Sequence, residues 1–146
     1  MNWKTRTSYG LKINSNGVPG LPTKEAHEHA LALFIEECSK TFDGEKVREA
    51  VAPIILEWWD KIAPRPSTGE LNTVVVVDGA VYSGLTRGVT CMVAWRGKLS
   101  RSAFVHELLH VVGWKVLGHS DPDHLDAVLW HYLEPAINGR LLSHAL

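Results

Sequence analysis

The sequence predicts an α+β fold, a small mixed sheet with helices packed on it. Three observations lead there. Two apolar patterns at helical spacing occupy the first part of the chain, short β-branched runs divided by turn dipeptides fill the middle, and another strongly apolar helical pattern follows. At 146 residues the chain has the size of a single domain with one core, 1–146, preceded by an arm over 1–20. Its 45% hydrophobic and 21% charged content is ordinary for a soluble globular protein.

The elements follow in order. Residues 1–20, with Asn14, Asn16, Gly17, Pro19 and Gly20, read as an extended arm or loop. Pro22-Thr23 caps a helix in which Ala26, Ala30, Leu33, Phe34 and Cys38 recur at helical spacing. His27 and His29 straddle that helix and are expected on its surface. Asp43-Gly44 breaks the chain. Val47, Val51, Ile54, Ile55, Trp58, Trp59 and Ile62 then form a second helical pattern, which Pro53 must kink or restart. A proline-rich loop spans 64–69. The four valines of 73–77 predict a buried strand, Asp78-Gly79 a hairpin turn, and 80–85 the returning strand. Thr86-Arg87-Gly88 turns again before a third strand over 89–95. A helix begins near Ser100 or Ser102. Asp121-Pro122 supplies a cap and first turn for a last helix over 122–134, with Leu125, Val128, Leu129 and Tyr132 on one stripe.

Composition excludes some partners. A formal charge of -1 and the lack of any basic run give no electrostatic case for nucleic acid or for an anionic membrane. No apolar run approaches membrane-spanning length. The first twenty residues contain Lys4, Arg6 and Lys12 but no apolar core of a secretory signal, so a cytoplasmic location is expected. Cys38 and Cys91, far apart in apolar segments, predict free buried thiols. Most of the six tryptophans lie in or beside apolar stripes and predict core packing rather than sugar or base stacking.

The chemistry concentrates near the C-terminus, where six of the eight histidines (His106, His110, His119, His124, His131 and His144) occur. Within it stands His106-Glu107-Leu108-Leu109-His110. Residues four apart on a helix differ by about 40° in azimuth and about 6 Å along the axis, so both imidazoles can face one ion. Glu107, about 100° from His106, sits where a carboxylate can act as a general base without being a ligand. Val105, Leu108, Leu109, Val112 and Val116 form a broad apolar stripe beside the histidines, a rigid support for a site open on its other side.

This segment, continued by Gly113 and by Leu117-Gly118-His119-Ser120-Asp121, resembles the zinc signature of metzincin peptidases, most of all their matrixin branch, over about 25 residues. The resemblance implies a zincin-like domain with an HExxH active-site helix, a zinc ion on His106, His110 and His119, and peptide or protein substrates. Zinc would activate a water and polarise the scissile carbonyl, while Glu107 would take the proton and pass it to the leaving amine. By side-chain type alone, and not from the resemblance, His131 or Tyr132 could assist the oxyanion. The strand over 89–95, as a sheet edge, could pair with an extended peptide; as an interior strand it would not. The chain departs from the family twice. His119 comes three residues later than the family spacing, as though a helical turn ending at Gly118 were inserted. No methionine follows position 92, and Leu129 stands where the family places one under the metal. If the last helix spans 122–134, a third ligand can come instead from that helix, as in gluzincin peptidases, with His124, His131 or Glu134 as donors; Asp121 and Asp123 are further candidates, although capping suits them better. The alternative function is a non-catalytic zinc-binding interaction domain with a degenerate peptidase site.

Overall fold

A computed structural model describes residues 2–142 of the chain; His144 lies outside the described residues. The predicted N-terminal arm contains two short strands, β1 (Lys4–Arg6) and β2 (Lys12–Asn14), joined as an antiparallel pair. Leu11 and Ile13 are fully buried, so this segment contributes to the core rather than trailing from it. Helix α1 (Lys24–Cys38) follows, with the Thr23 hydroxyl accepting from the Ala26 amide as its cap.

His27 is not on the surface. It is fully buried, its Nδ1 donating to the Thr23 carbonyl at 2.8 Å and its Nε2 accepting from the Trp58 indole N–H at 3.0 Å. Burial holds its pKa below the usual histidine value, although the bond to Thr23 opposes the shift.

Helix α2 (Gly44–Val51), capped by the Asp43 side chain, ends two residues before Pro53. The predicted continuation to Ile62 is instead strand β3 (Ile55–Trp59), followed by β4 (Lys61–Pro64). Proline lacks the amide a helix needs and clashes with the preceding turn, so the chain leaves the helix there. Strand β5 (Leu71–Val77) forms as predicted. Asp78 and Gly79 both take positive φ, 51° and 78°, as a two-residue hairpin turn requires. The returning segment divides into β6 (Ala80–Tyr82) and β7 (Gly84–Arg87), which join different sheets; β8 (Thr90–Ala94) completes the set.

The main sheet has the order β1-β2-β3-β8-β7, parallel across β2, β3 and β8 and antiparallel at both ends. Strand β8 is therefore interior and β7 is the edge. Side chains alternate across a strand, and here both faces are covered. Cys91 and Val93 join Leu56, Trp58 and the helices in the principal core, whereas Met92 and Ala94 join Val75 and Trp59 in a smaller one. The second cluster lies under the antiparallel β4-β5-β6 sheet. Cys38 and Cys91 are free and buried, and burial pushes the Cys38 thiol up to about 12.

Helix α3 (Ser100–Val112) carries the motif, and α4 (Glu134–Leu141) closes the described chain. Phe104, Val105, Leu108, Leu109, Val111 and Val112 are all fully buried, so the predicted apolar stripe seats α3 in the core. Among the described residues no helix is long and apolar enough to cross a membrane.

Candidate metal centre

Helix α3 does not stop at Gly113. It widens into a π-helical turn (Gly113–Leu117) and ends at Gly118, whose φ of 86° is the left-handed conformation glycine adopts at helix ends. The extra turn inferred from the spacing of His119 is thus present. Gly113 serves closeness rather than turning: its φ is -57°, but a Cβ there would lie 2.9 Å from Leu129 Cδ1 and 3.0 Å from the His119 carbonyl oxygen. The returning chain needs that space.

The return does not bring His119 to the motif. Its side chain is half exposed, with Nε2 3.9 Å from Asp126 Oδ2. The third imidazole beside His106 and His110 is that of His124, one of the alternatives raised by the sequence. The reason is the loop geometry. Asp121 and His124 both hold left-handed φ, 56° and 57°, and the Asp121 carboxylate accepts from the Asp126 amide at 2.7 Å and from the Trp130 indole N–H at 2.6 Å. These bonds pin the loop at its two ends and leave His124 at its inner bend. Left-handed φ in residues other than glycine costs about 1–3 kcal/mol and concentrates at functional sites.

Asp121 therefore shapes the loop, and Asp126, which accepts from the Leu129 amide, caps the last helix. That helix starts later than predicted, as a π-helical stretch (Val128–Leu133) running into α4. Asp123 is exposed. His131 and Tyr132 are exposed as well, and neither lines the cleft.

The three Nε2 atoms form a nearly equilateral triangle: 2.9 Å for His106–His124, 3.2 Å for His106–His110 and 3.1 Å for His110–His124. Three nitrogens on one tetrahedral zinc, each at about 2.0–2.1 Å, lie about 3.3 Å apart, so the donor set fits such an ion. Tautomers support the fit. Nδ1 of His106 donates to Glu134 Oε2 at 2.7 Å, and Nδ1 of His110 donates to the Ser120 carbonyl at 2.6 Å. In the neutral rings those bonds leave both Nε2 atoms as lone pairs facing each other, an arrangement that a shared cation relieves. Burial lowers the His110 pKa and so favours the neutral donor form, although the Ser120 bond opposes it. At His106 burial also lowers, but the Glu134 bond with the charges of Glu107 and Glu134 outweighs it and the net shift is upward.

Glu107 is buried at the edge of the triangle, and burial raises its pKa against the opposing bond from Thr86, whose hydroxyl donates to Oε1 at 2.7 Å. Gly84 on β7 makes room for this carboxylate; a Cβ there would come within 2.9 Å of it. A cavity of about 500 Å³ opens in front, lined by Gly84, Thr86, Glu107, Trp114 and the three histidines. A second, of about 480 Å³, shares Tyr82, Gly84, His106 and Glu107 and continues past Glu134 toward Arg96.

Trp130, Thr86 and Gly84 are site residues the sequence reading did not single out. Trp130 lies under the cluster, its ring 4.5, 4.7 and 5.0 Å from the rings of His106, His110 and His124. Leu129, expected in that place, points into the core instead and is fully buried. Nothing in the sequence marks Thr86 or Gly84, because they reach Glu107 across the sheet edge.

Compared with protein-family models, with curated proteins and with solved structures, the chain matches none. The structure itself yields an α+β protein in which His106, His110 and His124 are gathered so that they could hold one metal ion.

Proposed function

We propose that the chain is a zinc-dependent hydrolase of peptide bonds, with His106, His110 and His124 as metal ligands and Glu107 as general base. The observation that carries this reading is the Nε2 triangle with a buried carboxylate beside it at the mouth of a cavity. Three imidazoles from protein and a free side facing a cleft suit catalytic rather than structural zinc, which is usually enclosed by four protein ligands. Bound there, zinc would supply Lewis-acid polarisation of a carbonyl and a water of near-neutral pKa.

The chain's own residues do the rest. Glu134 and the Ser120 carbonyl fix the two helix-borne rings through their Nδ1 protons. Thr86 occupies one oxygen of Glu107, leaving the other to take a proton from water and deliver it to the leaving amine. Among the described residues, strand β7 hydrogen-bonds only β8 within its sheet, so its outer edge could take an extended peptide next to the imidazoles. This assigns to Gly84–Arg87 the role first considered for the strand over 89–95. The placement of His106 and His110 on one helix supports this reading, whereas His119, the third ligand that the resemblance implies, stands apart from the cluster.

Elemental analysis of the purified chain and digestion of a peptide library test the reading together. One equivalent of zinc and cleavage of the library are expected. Glu107→Gln should keep the zinc and lower turnover at least about 100-fold, the scale of a lost general base. Zinc held firmly with no cleavage by the unsubstituted chain would leave the non-catalytic zinc-binding domain as the correct reading.

A further inference from the structure

We infer that Arg96 forms a carboxylate-binding subsite in the cleft, so that the peptides bound there carry an acidic group a few residues from the imidazole cluster. This rests on the peptide reading above and names its substrate class. Arg96 lies between β8 and α3 and lines the second cavity together with Ser83, Gly84, Ser102, His106 and Glu107. It is half-buried, and its guanidinium is held in place from two sides. Nε donates to the Thr73 carbonyl at 2.8 Å and Nη1 to the Ser83 hydroxyl at 3.2 Å. A guanidinium has five N–H donors, so these bonds leave three, two on Nη2 and one on Nη1, with which to meet a carboxylate.

The charges around it are unbalanced. Among the described residues no acidic side chain forms an ion pair with Arg96. The two carboxylates that line the same cavity are already engaged, Glu134 with His106 and Glu107 with Thr86. Burial and the like charge of Arg65 both act against the Arg96 cation. A fixed, partly desolvated cation with only neutral partners is the situation an incoming carboxylate relieves, and arginine is suited to binding one. The carboxylate can belong to an Asp or Glu side chain or to the C-terminus of a peptide.

The test is retention of a random decapeptide library, N-acetylated and half of it C-terminally amidated, on immobilised zinc-loaded Glu107→Gln protein. Retained peptides are sequenced by mass spectrometry. An enrichment of about tenfold is expected, either of Asp and Glu over Asn and Gln at one position or of free over amidated C-termini, which separates the two sources. Arg96→Gln on the same background should abolish the enrichment, and Arg96→Glu should turn it toward Lys and Arg. A purely structural tie to Thr73 would not produce that reversal. Arg96→Lys, which keeps the charge and can still reach Thr73 but lacks the guanidinium, should retain only part of the preference and covers the case in which Arg96→Gln fails to fold. No retention, retention without acidic enrichment, or enrichment that survives Arg96→Gln overturns the subsite. Cleavage of the same library by the unsubstituted chain is scored separately, so failure of the hydrolase reading remains distinct from failure of the subsite.

Discussion

At the scale of single residues, the structure separates two histidines that the sequence leaves in competition. His119 and His124 both follow the motif, and the resemblance read from the sequence points to the first, although it stands three residues beyond the expected spacing. Among the described residues only His124 presents a nitrogen to the pair on α3. His124→Ala should therefore lower zinc affinity by more than the 10–100-fold typical of losing a supporting partner, whereas His119→Ala should leave it within a few-fold, both read by competition with a chelator. His27 shows the opposite failure, a residue read as exposed that is in fact core. Its place on the helix, straddling it with His29, points to the surface; the bond from the Trp58 indole, 31 residues away, has no local signature. Its depressed pKa makes it a source of pH-dependent stability. The unfolded chain takes up a proton near pH 6.5 while the folded chain resists, so this contribution is complete above about pH 6.5 and declines as the pH falls toward the folded pKa. Each unit of depression is worth about 1.4 kcal/mol. His27→Gln, whose amide oxygen can still accept from Trp58, should flatten the change in urea midpoint between pH 7.5 and 5.

At the scale of elements, what the sequence displayed depended on whether one pattern could be read without its neighbours. The motif helix, the Asp78-Gly79 hairpin and the valine strand were legible because a single local rule produces each. The segment Ile55–Trp59 was not. Its apolar residues fall at spacings a helix would also give, and the alternation that marks a strand is masked because Ile55 and Trp59 stand on the same face as Glu57. Leu56 and Trp58 enter the helical core, whereas Trp59 packs under the small antiparallel sheet. A strand covered on both sides loses its period of two. The late start of the last helix was likewise out of reach, since Asp121-Pro122 looks like a cap and Asp126 is the residue that serves as one. Gly113 tests the packing of these elements. Alanine at that position must displace Leu129 or the backbone at His119, so Gly113→Ala should cost about 1–3 kcal/mol in chemical denaturation and weaken zinc binding as the His124 loop is pushed outward.

At the scale of the whole molecule, the α+β layout was readable from element order, and the position of the cleft was not. The cleft depends on which strand ends the sheet, and β7 takes the edge because β8 inserts between it and β3. Parallel partners such as Ile55 and Thr90, or Lys12 and Ile55, are far apart in sequence, so their pairing is set by the tertiary fold. The candidate site then draws on three regions: α3, the loop behind Gly118, and the strand edge bearing Gly84 and Thr86. The layer beneath it is Trp130, an aromatic surface touching each of the three imidazoles. That contact gives the protein a built-in optical reporter. An indole whose ring lies 4.5–5.0 Å from all three imidazole rings would sense an ion held by them, so titration with a paramagnetic quencher such as cobalt should dim its emission stoichiometrically, zinc should displace the cobalt and restore it, and Trp130→Phe should remove the signal.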